Sequence, residues 1–168
     1  MNPIWFENHL AYTMAKYGMS MCVLGMHREF KDDGIAVNAL WPRTAILTAA
    51  IEMLSGPESA KHSRKPEIIA DAAYAILTKD SRKVTGNFFI DDEVLVSEGI
   101  TDLKQYACFP ENADNLMPDF FLDSNPKDIA KAFGSDGALK DLKKGMSMST
   151  SSSSSSKFRP SFLFVVIN

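Results

Sequence analysis

The sequence predicts an α/β fold built on a parallel sheet, and three observations predict it. Two short apolar runs, Ile35-Ala36-Val37-Asn38-Ala39-Leu40 and Gly86-Asn87-Phe88-Phe89-Ile90, have the length and flanks of buried strands. Helical periodicities precede the first run and separate it from the second, the alternation expected of strands joined by helical crossovers. Two parallel strands cannot stand alone, because each needs paired edges and both faces covered. Other strands must therefore complete the sheet.

The elements follow in order. Residues 10–30 predict a helix, with Leu10, Met14, Tyr17, Met21 and Leu24 at three- and four-residue steps, and Lys31-Asp32-Asp33-Gly34 stops it. Residues 44–54 predict a short helix ending at Ser55-Gly56-Pro57. His62-Ser63-Arg64-Lys65 reads as a solvated loop. Pro66 then sits at a first helical position with Glu67 beside it, and Ile68, Ile69, Ala72, Ala73, Ile76 and Leu77 form that helix's apolar stripe. Asp91 and Asp92 read as caps of a short helix through Glu98, with Gly99 at its end. Residues 100–125 carry no long periodic segment, and residues 126–144 offer only a weak amphipathic pattern. Residues 147–156 are serine-rich, cannot bury a core, and are expected to be disordered. Residues 158–168 form an isolated apolar end. The domain reading is residues 1–125 as one partial domain and 126–168 as a low-complexity tail.

Composition removes several functions. The 168 residues carry 18 basic and 21 acidic side chains, net charge -3, and no basic stripe that would hold nucleic acid. No apolar run reaches a bilayer's width, and no secretory leader is visible. Two cysteines, Cys22 expected in a buried helix face and Cys108 in a loop, make no disulfide framework, which favours a reducing compartment. His9, His27 and His62 lack metal-ligand spacing, so no metal site is expected. Asp91, Asp92 and Glu93 read as a cap and a solvated turn. Met14, Met19, Met21 and Met26 read as core and interface filler.

Tyr12 and Lys16 stand four residues apart, so a helix puts both on one face. A phenol is a poor acid or base at neutral pH, and a neighbouring ammonium favours its phenolate. Such a pair can exchange a proton with a carbonyl or hydroxyl oxygen. The spacing alone arises by chance in many chains.

Its context is more specific. Ala11-Tyr12-Thr13-Met14-Ala15-Lys16-Tyr17-Gly18, Val37-Asn38-Ala39-Leu40-Trp41-Pro42, Lys65-Pro66-Glu67-Ile68-Ile69-Ala70-Asp71-Ala72 and Val84-Thr85-Gly86-Asn87-Phe88-Phe89-Ile90-Asp91 occur in order. Together they resemble the short-chain dehydrogenase/reductase family, from its Y-x-x-x-K helix to its late T-G strand. Over residues 1–125, including Pro118-Asp119-Phe120-Phe121-Leu122-Asp123, the chain is similar to the hydroxysteroid dehydrogenase-like branch, whose members carry a sterol-carrier domain. That domain is not expected here, and the likeness is expected to fade after Asn125.

The resemblance implies the C-terminal portion of a Rossmann-type, doubly wound parallel sheet, without its N-terminal half. It implies an NAD(P)-dependent oxidoreductase acting on a carbonyl or hydroxyl of a lipid-like substrate. Tyr12 would be the general acid/base. Lys16 would bind the nicotinamide ribose and lower the tyrosine's pKa. Pro42, Thr44, Ala45 and Ile46 would line the nicotinamide with Tyr12 and Lys16. Two positions depart from the pattern. Arg43 stands where the family has glycine, and Leu47 where it has threonine, with Thr48 one residue later.

None of the nine glycines forms the pyrophosphate-binding turn after a strand, and the partner serine and relay asparagine are also outside the sequence. The expectation is that this chain alone closes no NAD or NADP pocket and is inactive. The alternative is a non-catalytic fragment or isoform that joins a full-length subunit, as homo- or hetero-oligomer, through the Tyr12-bearing helix. An unstable splicing product is a third reading. The branch implies a peroxisomal or mitochondrial setting, or otherwise the cytoplasm, since Val166-Ile167-Asn168 is no peroxisomal address.

Overall fold

The computed structural model describes residues 3–7, 9–122 and 164–167. Helix α1, Leu10–Glu29, leads through a turn at Gly34 into strand β1, Val37–Trp41. Helix α2, Ala49–Ser55, a 3-10 turn at Pro57–His62 and helix α3, Glu67–Leu77, follow. Strand β2, Phe88–Ile90, runs directly into helix α4, Asp91–Ser97. Two 3-10 turns, Lys104–Tyr106 and Pro110–Asn112, precede the last described stretch, strand β3, Phe164–Ile167.

The sheet has the order β2-β1-β3, and both pairings are parallel. β1 is buried along its whole length, as a central strand with covered faces must be. Its side chains alternate between two cores. Leu40 faces α3 and α4 and packs with Ile68, Ala72, Ile76, Val94, Leu95 and Tyr106. Val37, Ala39 and Trp41 face α1 and pack with Val23, Tyr17, Met26, Phe30, Phe121 and Leu122. The backbone alternates as well. Ala39 donates its amide to the Asn87 carbonyl at 2.8 Å, and the Val37 carbonyl accepts from Gly86 at 2.8 Å. Odd residues thus address β2, which leaves the even ones for β3. The other edge of β1 is taken by β3, from the apolar end of the chain. The expected disorder of the serine tract and the weak helix of 126–144 lie outside the described residues.

Two sequence motifs meet here in space. The Asn38 side chain donates to the Val84 carbonyl at 3.0 Å and accepts from the Asn87 amide and side chain at 3.1 and 3.0 Å. The Val37 amide donates to Thr85 Oγ1 at 3.0 Å. The V-N and T-G-N segments thus seal the entrances of β1 and β2 to each other. Gly86 lies between them at φ +75°, and a Cβ there would come within 2.5 Å of the His27 ring. Only glycine meets both conditions.

Several expectations are corrected. The stripe of Leu10, Met14, Met21 and Leu24 faces outward, and α1 buries Thr13, Ser20 and Val23 instead. Thr13 can be buried because its hydroxyl donates to the Trp5 carbonyl. Cys22 is exposed rather than buried. Helix α2 begins five residues later than expected, capped by the Thr48 hydroxyl, which accepts from the Ile51 amide at 3.3 Å. Residues 44–47 are held extended instead, by bridges from Thr44 to Pro118 and from Ile46 to Arg64. Pro66 precedes the first helical residue, and β2 is only half-buried.

Candidate active site

α1 places Tyr12 and Lys16 on one face, with the Lys16 ammonium 5.6 Å from the centre of the Tyr12 ring. Phe120 and Phe121 pack against the same ring, with centroids at 6.2 and 6.0 Å. Phe121 also meets Trp5, Tyr17 and Trp41 at 5.7, 5.2 and 5.7 Å. Its φ of 74° is costly for a residue with a bulky side chain. The surrounding aromatic rings hold it there. Residues 118–122 thus form an aromatic wall over the phenol.

The same segment reaches the turn after β1. Thr44 bridges to Pro118, the Ala45 amide donates to the Met117 carbonyl at 2.8 Å, and the Asp119 amide donates to the Arg43 carbonyl at 3.0 Å. Residues 118–122 therefore join Tyr12 and Lys16 to the expected nicotinamide turn. Thr44 Oγ1 is buried there with no hydrogen-bond partner. An orphaned buried hydroxyl in a turn of this kind fits a ligand that brings its own polar groups. The Ala45 amide, by contrast, is engaged with Met117.

Arg43, where the family has glycine, fastens this turn. Its Nε lies 2.8 Å from both Asp92 carboxylate oxygens, and its Nη2 lies 2.5 Å from Glu93 Oε1. Its amide donates to Asp91 Oδ1 at 3.0 Å. Arg64 Nη1 lies 3.4 Å from Asp92 Oδ2. The reading of Asp91 and Asp92 as a solvated turn is therefore corrected, since both are buried. Ser63 and Arg64 are buried too, against the expected solvated loop. Acids at the start of α4 meet bases from two other elements, and sequence spacing does not show this. Burial pushes the Asp91 carboxyl up, against the amides of Arg43 and Asp92, which pull it down.

The phenol of Tyr12 is also pushed up, by burial first and by the Asp119 charge second. Both act against the lowering that the resemblance implied for Lys16, whose ammonium lies over the ring face. Asp119 is raised to about 7, by burial above all. The amide of Phe120, which donates to its Oδ1 at 2.7 Å, and the charge of Lys16 hold it lower, and Asp91 pushes it higher. Sequence reasoning passed over Asp119. The only hint was an acid set between a proline and two phenylalanines.

The other motif residues are structural. Asp71 accepts from the Tyr106 hydroxyl at 2.7 Å, pinning residues 103–107 to α3. Burial and that carboxylate push the phenol of Tyr106 up to about 12. Among the described residues no cluster of His, Cys, Asp or Glu could hold a metal ion.

A parallel sheet flanked by helices carries a Tyr-Lys pair that residues 118–122 join to the turn after a central strand. A crystal structure of a dehydrogenase from Xanthomonas campestris superposes with a TM-score of 0.67 and 52% identity, covering 74% of this chain and 44% of that one. A short-chain dehydrogenase of Mycobacterium thermoresistibile gives 0.63 and 46%, covering 74% and 43%. The chain is similar to these short-chain dehydrogenases and carries part of their Rossmann-type fold. More particularly, it is similar to hydroxysteroid dehydrogenase-like protein 2. The Xenopus laevis protein is 56% identical over 155 residues, 92% of this chain and 36% of the relative. The human protein is 54% identical over 143 residues, 85% of this chain and 33% of the relative. The chain thus spans about a third of the length of these relatives. A match of 155 residues also runs past Asn125, where the likeness was expected to fade. No family profile matches the chain.

Proposed function

We propose that these residues serve an NAD(P)-dependent oxidoreductase that interconverts a carbonyl and a hydroxyl on an apolar, lipid-like substrate. The observation that carries this is the convergence of Tyr12, Lys16 and the turn at residues 42–46 through one segment, residues 118–122. Pro42, Thr44 and Ile46 would face the nicotinamide, with the Thr44 hydroxyl as the polar contact and Lys16 on its ribose. A bound nicotinamide would supply or accept the hydride. In reduction, Tyr12 would give its hydroxyl proton to the carbonyl oxygen that becomes the alcohol. Oxidation reverses both transfers. The Lys16 ammonium offsets the negative charge that forms on the phenol oxygen. Phe120 and Phe121 offer an apolar surface beside the Tyr12 ring, which supports a lipid-like substrate.

The pyrophosphate-binding turn is not among these 168 residues. A polypeptide of them alone is therefore expected to leave NADH and NADPH unbound in a fluorescence titration. The catalytic test joins residues 1–122 to the preceding half of a similar relative and follows NADPH consumption with aliphatic ketones. Tyr12→Phe is expected to lower kcat by about 10²-fold or more while NADPH still binds. An unchanged kcat sinks the reading.

One observation favours a second reading, association through α1. Leu10, Met14, Met21 and Leu24 form an exposed apolar stripe on that helix. If this face binds a second subunit, the chain sediments as a dimer, and Met14→Glu with Leu24→Glu returns it to monomer. A monomeric parent chain removes the idea. Among the described residues no helix is long and apolar enough to cross a membrane.

A further inference from the structure

β1 offers a row of backbone groups to each side. Its odd residues address β2, as the bonds of Val37 and Ala39 show, so Asn38 and Leu40 turn to the other edge. There the register pairs Asn38 with Val165 and Leu40 with Ile167, in parallel. The Asn38 and Leu40 amides therefore donate to the carbonyls of Phe164 and Val166, and the Asn38 carbonyl accepts from the Val166 amide. The Val165 amide points away from β1. Helix α1 lies close to both strands. β2 reaches β1 through α2 and α3, whereas residues 123–163 of the chain stand between Leu122 and β3. This edge is thus filled from far along the sequence, through main-chain pairing.

We propose that the edge of β1 is a strand-acceptor site: it takes an extended apolar peptide in parallel register, and its resident occupant is the chain's own end, Phe164–Ile167. Asn38 and Leu40 are buried, and buried backbone amides and carbonyls need partners. An edge without them is a template for a further strand. Pairing of this kind recognises the extended backbone of a segment and its direction, and leaves the sequence that supplies it open. The resident segment suits the place. Phe162-Leu163-Phe164-Val165-Val166-Ile167 is uninterruptedly apolar, and its three β-branched residues favour a strand beside a covered central one. The tether through residues 123–163 makes its pairing intramolecular. A tethered segment meets its site at an effective concentration on the order of mM. The chain's own end therefore excludes a free peptide of micromolar affinity for as long as the tether is intact. This inference does not depend on the oxidoreductase reading.

The experiment uses the whole chain with a protease recognition sequence set within residues 147–156. The probe is a fluorescein-labelled peptide of residues 157–168, and its binding is read by fluorescence anisotropy before and after the cut. After the cut the resident end is an untethered competitor, so the probe is expected to enter at micromolar concentration. Before the cut, half-saturation is expected to need about 10²-fold more probe. Two altered probes test the register while the folded body stays as it is. Val166→Pro removes the amide that the Asn38 carbonyl accepts, and this probe is expected not to bind. Val165→Pro removes an amide that faces away from β1, and this probe is expected to bind nearly as the parent peptide does. The proposal is overturned if the cut chain takes up no probe, if cut and uncut chains bind it alike, or if the two proline probes behave alike. The end of a second copy is the rival occupant. A chain carrying Met14→Glu and Leu24→Glu that sediments as a dimer before the cut and as a monomer after it would assign the edge to that rival and also overturn the proposal.

Discussion

Leu40→Ala is expected to cost about 2–5 kcal/mol of folding stability. Leu40 is fully buried at the centre of β1, and its side chain fills the space between α3, α4 and Tyr106. The loss combines the transfer of its apolar atoms to water with the cavity left among Ile68, Ile76 and Leu95. Neighbours anchored on two helices and a strand close such a cavity only partly. Small domains are stable by about 5–15 kcal/mol, so this one change removes a large fraction of the total. Urea denaturation measures it as a lower midpoint at unchanged slope. Met53→Ala is the matched control, since Met53 is 71% exposed and its loss is expected to stay within about 0.5 kcal/mol. If the two variants unfold at the same midpoint, β1 is not the core strand described above.

Asp92→Ala is expected to be as damaging, at about 3–5 kcal/mol, for a different reason. Asp92 stands between Arg43 and Arg64, and Arg64 is only 9% exposed. Removing the carboxylate leaves a buried guanidinium without its counter-charge. Replacing the buried pair tells a pairing effect from a packing effect. Asp92→Leu combined with Arg64→Met removes both charges and keeps volume, so it is expected to recover most of the stability. Glu93→Gln is expected to change little, about 0–1 kcal/mol, because the Glu93 side chain is largely solvated. A double variant no more stable than Asp92→Ala would show that the network matters by shape rather than by charge.

The charge network also explains why the site was only half legible in the sequence. Tyr12 and Lys16 could be read because both lie on one helix, where a spacing of four residues fixes a shared face. Arg43, Arg64, Asp91 and Asp92 lie on separate elements, and no spacing rule joins them. Each looked like an ordinary surface charge until the fold placed them together. Asp119 escaped for the same reason, since its neighbours Tyr12 and Asp91 are far from it in the chain. The outward stripe of α1 shows another limit. Periodicity says that a helix has faces, and it does not say which face the sheet takes. Thr13 and Ser20 lie inward because the first has an internal acceptor and both are small enough for the sheet to approach.

The sequence alone determined the α/β alternation, the strand at β1, the order of the family motifs and the Tyr12–Lys16 pair. These are local properties: turn residues, runs of apolar side chains, and spacings within one helix. It also determined that two parallel strands could not stand alone. Tertiary structure alone decided that Phe164–Ile167 takes that edge of β1, in parallel register. It also decided that Phe120 and Phe121 pack against the Tyr12 ring and that their segment joins it to the turn after β1. Those outcomes depend on which distant segments meet and exclude water, and a linear spacing carries no record of that.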